Sequence, residues 1–193
     1  MKLYLVRHGE AEGSAGRVVG HLDLPLSAAG ARDVETLAAT WQGPAPRIFT
    51  SDLRRAVESA RILAARLGAE PVVDARLREA SFGDWDGQLW DEVHQRDRDR
   101  LEAWGGRWWE LAPPGGETFA DLSRRVLAWF RELPEEEAVV AVAHGGSIRA
   151  LLAELLAIPR ERAFDFHLAP ARVSAVEVAG GVCELLFLDR DRF

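Results

Sequence analysis

Short apolar runs alternate with stretches of helical periodicity along most of the chain. Lys2 to Val6 is mostly apolar and reads as a buried strand, followed at once by Arg7-His8-Gly9-Glu10. A glycine-rich loop, 13–20, leads to Pro25 and to Ser27, which can cap a helix from about Ala28 to Trp41. Gly43, Pro44 and Pro46 stop that helix. Arg47 to Thr50 predicts a short strand, Ser51-Asp52 a cap, and Leu53 to Leu67 a helix ending at Gly68. Pro71 to Val73 predicts another short strand. Thr118 or Asp121 opens a helix running to about Leu133. Glu137 to Ala143 is a second strand tipped with histidine, His144-Gly145-Gly146, ahead of a helix over Ser147 to Leu156. Arg172 to Val178 and Val182 to Leu188 flank Gly180-Gly181, a hairpin signal.

Strands alternating with helices predict an α/β fold with a mostly parallel sheet covered on both faces, to which the hairpin adds at least one antiparallel strand. The length of 193 residues suits one domain, 1–193. The stretch at about 84–116 differs in composition. It holds five of the seven tryptophans, Trp85, Trp90, Trp104, Trp108 and Trp109, and closes with Pro113-Pro114-Gly115-Gly116. It reads as a helical cap insertion that could fold over a cleft. Trp41 and Trp129 are expected in the core.

Charge and cysteine narrow the setting. A net charge of −7 argues against a nucleic-acid binder, although arginines gathered in a cleft can still bind a small anion. The single cysteine, Cys183, reads as a small buried apolar residue and offers no disulfide. The N-terminus has no signal-peptide layout and no apolar run approaches bilayer length, so a cytoplasmic protein without a membrane partner is expected.

Two strands, each tipped with a histidine, deliver those side chains to the carboxyl edge of a sheet, where open α/β folds bind ligands. Arg7, His8, Arg54 or Arg55, Glu79 and His144 form a collection suited to phosphoryl transfer. Charge spread over the phosphoryl oxygens calls for fixed cationic donors, an in-line nucleophile and an acid at the leaving oxygen. Arginine's planar fork pairs with two phosphate oxygens and stays charged. A neutral imidazole can attack directly. Gly145 and Gly146, before a helix, let backbone amides approach an anion. No spacing suggests metal ligands, so neither metal nor cofactor is expected.

LVRHGE, SDLRRA, LREASFGDWDG, PPGGET and AHGGSIRAL together resemble the signature series of the histidine phosphatase superfamily, also called phosphoglycerate mutase-like. The resemblance covers Leu5 to about Leu152. It implies a three-layer α/β/α sandwich with a mixed sheet, and His8 as the phosphorylated nucleophile. Arg7 and Arg55 would bind phosphate; the family's arginine directly precedes alanine, which selects Arg55 over Arg54. His144 would hold a phosphate oxygen, and Glu79 would be the acid and then the base. The family commonly has Thr or Ser, and then Asn, where this chain has Ala11 and Ser14.

The resemblance implies a metal-independent phosphomonoesterase acting on a small phosphorylated metabolite. Its phosphatase branch includes α-ribazole phosphatases and broad-specificity phosphatases, which leaves the substrate open. The alternatives are a mutase, which would return phosphate to a bound sugar acid, and a catalytically silent binder of phosphorylated ligands. Ser14, Gly20, His21 and Gly145 are further candidates for substrate contact beside Arg7, Arg55 and His144. Glu10 is expected to orient an arginine rather than to react. Glu79 has a bland alternative, an ion pair with Arg76 or Arg78. His94 and His167 read as ordinary structure or surface. No stripe demands oligomerisation, and a homodimer stays open.

Overall fold

The computed structural model describes residues 1–43, 45–134 and 138–193. Six strands form one sheet: β1 (Lys2–Arg7), β2 (Arg47–Thr50), β3 (Pro71–Val73), β4 (Ala138–Ala143), β5 (Val173–Ala179) and β6 (Val182–Arg190), in the order β3-β2-β4-β1-β5-β6. The first four run parallel; β5 is antiparallel to β1 and β6 to β5. The helices are α1 (Ala28–Ala39), α2 (Arg54–Leu67), α3 (Trp90–Arg96), α4 (Arg98–Gly106), α5 (Phe119–Arg131) and α6 (Gly145–Leu155).

Alternation along the central strands makes the three layers. Leu3, Leu5, Val139 and Ala141 face one core with Val126 and Trp129 of α5 and Ile148 and Leu151 of α6. Val6, Val140 and Val142 face the other, with Val34 and Leu37 of α1 and Ala60 and Leu63 of α2. Successive side chains of a strand point to opposite faces, so strands apolar at both parities need helices on each side. The segment 84–116 supplies α3 and α4, and Val18, Trp85 and Val93 form a small core of their own there.

Several boundaries differ from the sequence expectation for physical reasons. Ser27 caps α1 as expected, accepting the Gly30 amide at 3.0 Å, but the helix stops at Ala39. Trp41 therefore lies beyond it, packed edge-on against Tyr4 and Phe193. Ser51 and Asp52 do not cap α2. The Ser51 hydroxyl is drawn to His144, and Asp52 pairs with Arg78. Asp23 instead accepts the Arg54 amide at 2.7 Å. The last helix begins at Gly145, two residues earlier than Ser147. Cys183 is only partly buried. Pro44 and Glu137, read as a helix stop and a strand start, lie outside the described residues. Among the described residues, no helix is long and apolar enough to cross a membrane.

The sheet register positions the site. Arg7 pairs with Ala143 at the carboxyl ends of β1 and β4, so His8 and His144 follow side by side. The His8 amide donates to the Ala143 carbonyl at 3.0 Å, and the two imidazole centroids are 4.9 Å apart. Gly9 and Gly30 let the chain close here. A Cβ on Gly9 would sit 2.5 Å from the Gly30 oxygen, and one on Gly30 would sit 2.4 Å from the Glu10 oxygen. The loop leaving β1 is thus held directly against the first turn of α1.

Candidate active site

His8 is buried, and its two nitrogens are differentiated. Nδ1 lies 2.6 Å from the Gly9 carbonyl oxygen, which can only accept, so Nδ1 carries the proton. Arg55 Nε donates to Nε2 at 3.2 Å, so Nε2 presents its lone pair. Burial, then the nearby Arg55 and Arg7 charges, push the His8 pKa down to about 3 against the opposing pull of the Gly9 carbonyl. The imidazole is therefore neutral at pH 7, with a bare nitrogen in the state that attack on phosphorus requires.

Arg55, buried on the first turn of α2, is fixed on its outer side. Its Nη1 donates to the Leu22 carbonyl and its Nη2 to the Gly20 carbonyl. Ser59, one turn on, accepts the Gly9 amide and donates to the Arg55 carbonyl, tying α2 to the histidine loop. Arg7 is held through Nη1 by the Leu168 carbonyl, while its buried Nε has no partner. That unspent donor suits an anion entering beside Gly145.

His144 is fully buried, and burial, reinforced by His8 and the surrounding arginines, holds its pKa well below the ordinary value. Its Nε2 is 2.7 Å from Ser51 Oγ, which itself accepts the Leu53 amide at 3.3 Å. The hydroxyl proton is thereby free to go to Nε2, which leaves Nδ1–H as a donor. Nδ1 is buried without a partner. A buried donor without an acceptor is costly, and a phosphate oxygen would satisfy it.

Glu79 does not pair with Arg76 or Arg78, which bind Asp74, Glu132 and Asp52. Its carboxylate accepts the Gly146 amide through Oε1 at 2.9 Å and Oε2 at 3.1 Å, and the Ala80 amide at 2.9 Å. A Cβ on Gly146 would lie 2.2 Å from Oε1, so only glycine permits this seat. Arg125 of α5 braces the segment from behind. It donates to the Arg76, Arg78 and Glu79 carbonyls and forms a two-pronged ion pair with Glu117.

Two adjoining cavities meet here. The smaller, about 220 Å³, is lined by Arg7, His8, Glu10, Ser14, Gly20 and Arg55, among others. The larger, about 500 Å³, has an aromatic wall of Phe82, Trp90, Trp104, Trp108, Phe119 and Phe164. Gly145, Gly146 and Arg149 of α6 also border it, and Arg7 and Glu79 line both cavities. Trp90, Trp104 and Trp108 of the aromatic segment thus form part of the wall of the larger cavity. Trp85 is buried in the small core, and Trp109 packs on Trp108.

Not every candidate occupies its expected place. His21 lines neither cavity. Its Nε2 lies 2.7 Å from the Glu79 carbonyl oxygen and its amide donates to Asp86, so it braces the Glu79 segment. Glu10 is exposed and, among the described residues, orients no arginine; its main-chain oxygen accepts the Ser27 amide. Ser14 borders the polar cavity with its hydroxyl bound to the Ala11 carbonyl. Arg54 is exposed and pairs with Glu58. His94 and His167 are exposed. Sequence reasoning missed Ser51, Arg125 and Arg149. Only Arg149 left a signal, as the one cation in α6.

The family model described as histidine phosphatase superfamily (branch 1) matches residues 3–190. The chain belongs to this superfamily. Among curated members, it is 38% identical over 172 residues to a glucosyl-3-phosphoglycerate phosphatase of Mycolicibacterium vanbaalenii, covering 82% of this chain and 75% of that one. It is 30% identical over 194 residues to an adenosylcobalamin/α-ribazole phosphatase of Salmonella typhimurium, covering 98% and 96%. Solved histidine phosphatases share the fold. The α-ribazole phosphatase from Shigella flexneri superposes with a TM-score of 0.92 at 27% identity, covering 100% of this chain and 98% of that one. A mycobacterial glucosyl-3-phosphoglycerate phosphatase complexed with VO3 gives 0.85 at 32% identity, covering 97% and 98%.

Proposed function

We propose that the chain hydrolyses small phosphate monoesters in two steps through a phosphohistidine at Nε2 of His8. The observation that carries the reading is the division of labour on His8: Nδ1–H spent on the Gly9 carbonyl, Nε2 bare beside Arg55 in a cleft. The His8 lone pair attacks phosphorus while the ester P–O bond breaks. Glu79 gives a proton to the departing oxygen, and the alcohol leaves. Water then loses a proton to Glu79 and attacks phosphorus, the N–P bond breaks, and inorganic phosphate departs.

Arg7, Arg55 and the Nδ1–H of His144 hold the phosphoryl oxygens through both steps. Positive charge at the site comes from guanidinium groups, and no step calls for a metal or cofactor. Residues 1–193 act as one domain, with the aromatic insertion forming the wall against the leaving group. A small phosphorylated metabolite in the cytoplasm, with neither nucleic acid nor membrane as partner, fits the net charge of −7 and the cleft volume of about 500 Å³.

The test is to quench turnover of a ³²P-labelled ester in alkali, digest the protein and map the label. It is expected on the peptide that contains His8. Label elsewhere, or hydrolysis undiminished in His8→Ala, overturns the reading. Inorganic phosphate as the product from 3-phosphoglycerate, without 2-phosphoglycerate, separates the phosphatase from a mutase.

A further inference from the structure

Arg149 is a buried guanidinium held by a carbonyl and an aromatic ring instead of by an acid. It lies on α6 one turn beyond Gly145, only 9% exposed, and its Nε is buried without a partner. Its Nη2 donates to the Phe166 carbonyl at 3.2 Å, and its guanidinium carbon sits 4.7 Å from the centre of the Phe164 ring. A carbonyl and an aromatic face orient a guanidinium without neutralising it. Among the described residues it forms no ion pair. The two acids whose charges reach it, Glu79 and Asp189, hydrogen-bond to backbone amides and not to its guanidinium, whose Nε stays free for a ligand.

Position decides what this cation is for. The smaller cavity holds His8 and Arg55, and Arg149 does not line it. Arg149 borders only the larger cavity, where it is the one cation beyond Arg7, which the two cavities share. A phosphoryl group on His8 therefore leaves Arg149 facing the rest of the ester. A buried, oriented guanidinium with no ion pair and an unpartnered Nε, facing a largely apolar cavity, is a preformed seat for a planar anion.

We propose that Arg149 is a specificity residue that binds a carboxylate on the alcohol portion of the substrate. The substrate class is then a phosphate monoester whose leaving group carries a carboxylate and an apolar or flat body for the aromatic wall. The inference deepens the phosphatase reading and rests on it. A neutral leaving group would leave the guanidinium desolvated and unpaired in the complex, which costs affinity for that ester.

The experiment compares kcat/KM for 3- and 4-carboxyphenyl phosphate with that for the matching carbamoylphenyl phosphates, in the wild-type protein and in Arg149→Gln and Arg149→Lys. The carboxamide makes the better leaving group, so intrinsic reactivity runs against the expected preference. The wild type should favour the carboxylate of at least one isomer by about tenfold or more. That ratio should collapse to about one in Arg149→Gln and recover in part in Arg149→Lys. Equal wild-type efficiency on both esters overturns the inference while leaving the phosphatase reading intact. Proportional loss on both esters in Arg149→Gln also overturns it, because a residue acting through Glu79 or through α6 would not change the ratio. Failure of the wild type to hydrolyse any of the esters would instead count against the phosphatase reading.

Discussion

Arg55 Nε donates to the bare Nε2 of His8 at 3.2 Å, so the group proposed to clamp phosphate also holds the nucleophile until phosphate arrives. The contact places a positive charge against a nitrogen that must stay unprotonated, and this charge is the second cause, after burial, of the depressed pKa. Replacing Arg55 by Gln should raise the His8 pKa from about 3, seen as a ring-proton NMR titration moving to higher pH. The same change should lower kcat/KM by about 10² or more, as removal of one oriented donor does elsewhere. An unmoved titration would show that burial alone sets the protonation state.

Buried neutral histidines make stability depend on pH. The folded pKa of His8 is near 3 and its ordinary value is 6.5, so below pH 6.5 the unfolded chain takes up a proton that the folded one refuses. Stability is complete above about 6.5 and falls as pH drops toward 3. The slope approaches about 1.4 kcal/mol per pH unit for one such group. His144, also shifted down, adds in the same direction. Urea unfolding between pH 7 and pH 4 should show a shallower decline in His8→Gln than in the wild type; parallel declines would contradict the assignment.

Glu79→Gln removes the proposed proton carrier while leaving an amide oxygen to accept the Gly146 amide. An ester with an acidic leaving group, such as p-nitrophenyl phosphate, needs little protonation in its first step. Stopped-flow should therefore show a burst of about one nitrophenol per active site, followed by slow turnover as water lacks its base. The overall rate should fall by about 10²- to 10⁴-fold. A uniformly slow first step without a burst would assign Glu79 a purely structural role.

Gly146→Ala separates position from stability. The new methyl would fall 2.2 Å from Glu79 Oε1 and drive the carboxylate off its amide. Alanine favours helix over glycine by about 1 kcal/mol, which offsets part of the strain. The Tm should thus change little while kcat drops tenfold or more. Loss of folding by circular dichroism would mean that the clash cannot be absorbed by the side chain alone.

Chelation tests the source of positive charge. With guanidinium groups holding the phosphate, turnover of p-nitrophenyl phosphate should be unchanged by EDTA, and dialysed protein should need no added metal. Loss of activity that returns with a divalent cation would contradict this.

How much of this was legible in the sequence depends on distance along the chain. The histidine-tipped strands stand out because a strand and its terminal residues are contiguous, and parallel pairing of β1 with β4 then brings His8 and His144 together. The two apolar parities of those strands likewise predict helices on both faces. Ser51 could not be read: before a helix its hydroxyl suggests a cap, and only the fold brings His144 within 2.7 Å, where the imidazole wins. The bond between His21 and the Glu79 carbonyl was out of reach for the same reason, since the two are brought together only by the fold. Arg149 carries a local signal, but its meaning depends on three-dimensional facts: no ion pair among the described residues, and a place on the wall of the larger cavity.

Arg7, Glu79 and Phe82 form the common border of the two cavities. Chemistry and selectivity consequently occupy separate rooms with one doorway. Three of the aromatic room's tryptophans, Trp90, Trp104 and Trp108, come from a segment that contributes none of the strands, so substitutions there can redirect which alcohol is released while the histidine pair is left undisturbed. One scaffold can in this way give rise to enzymes that share a reaction and differ in diet.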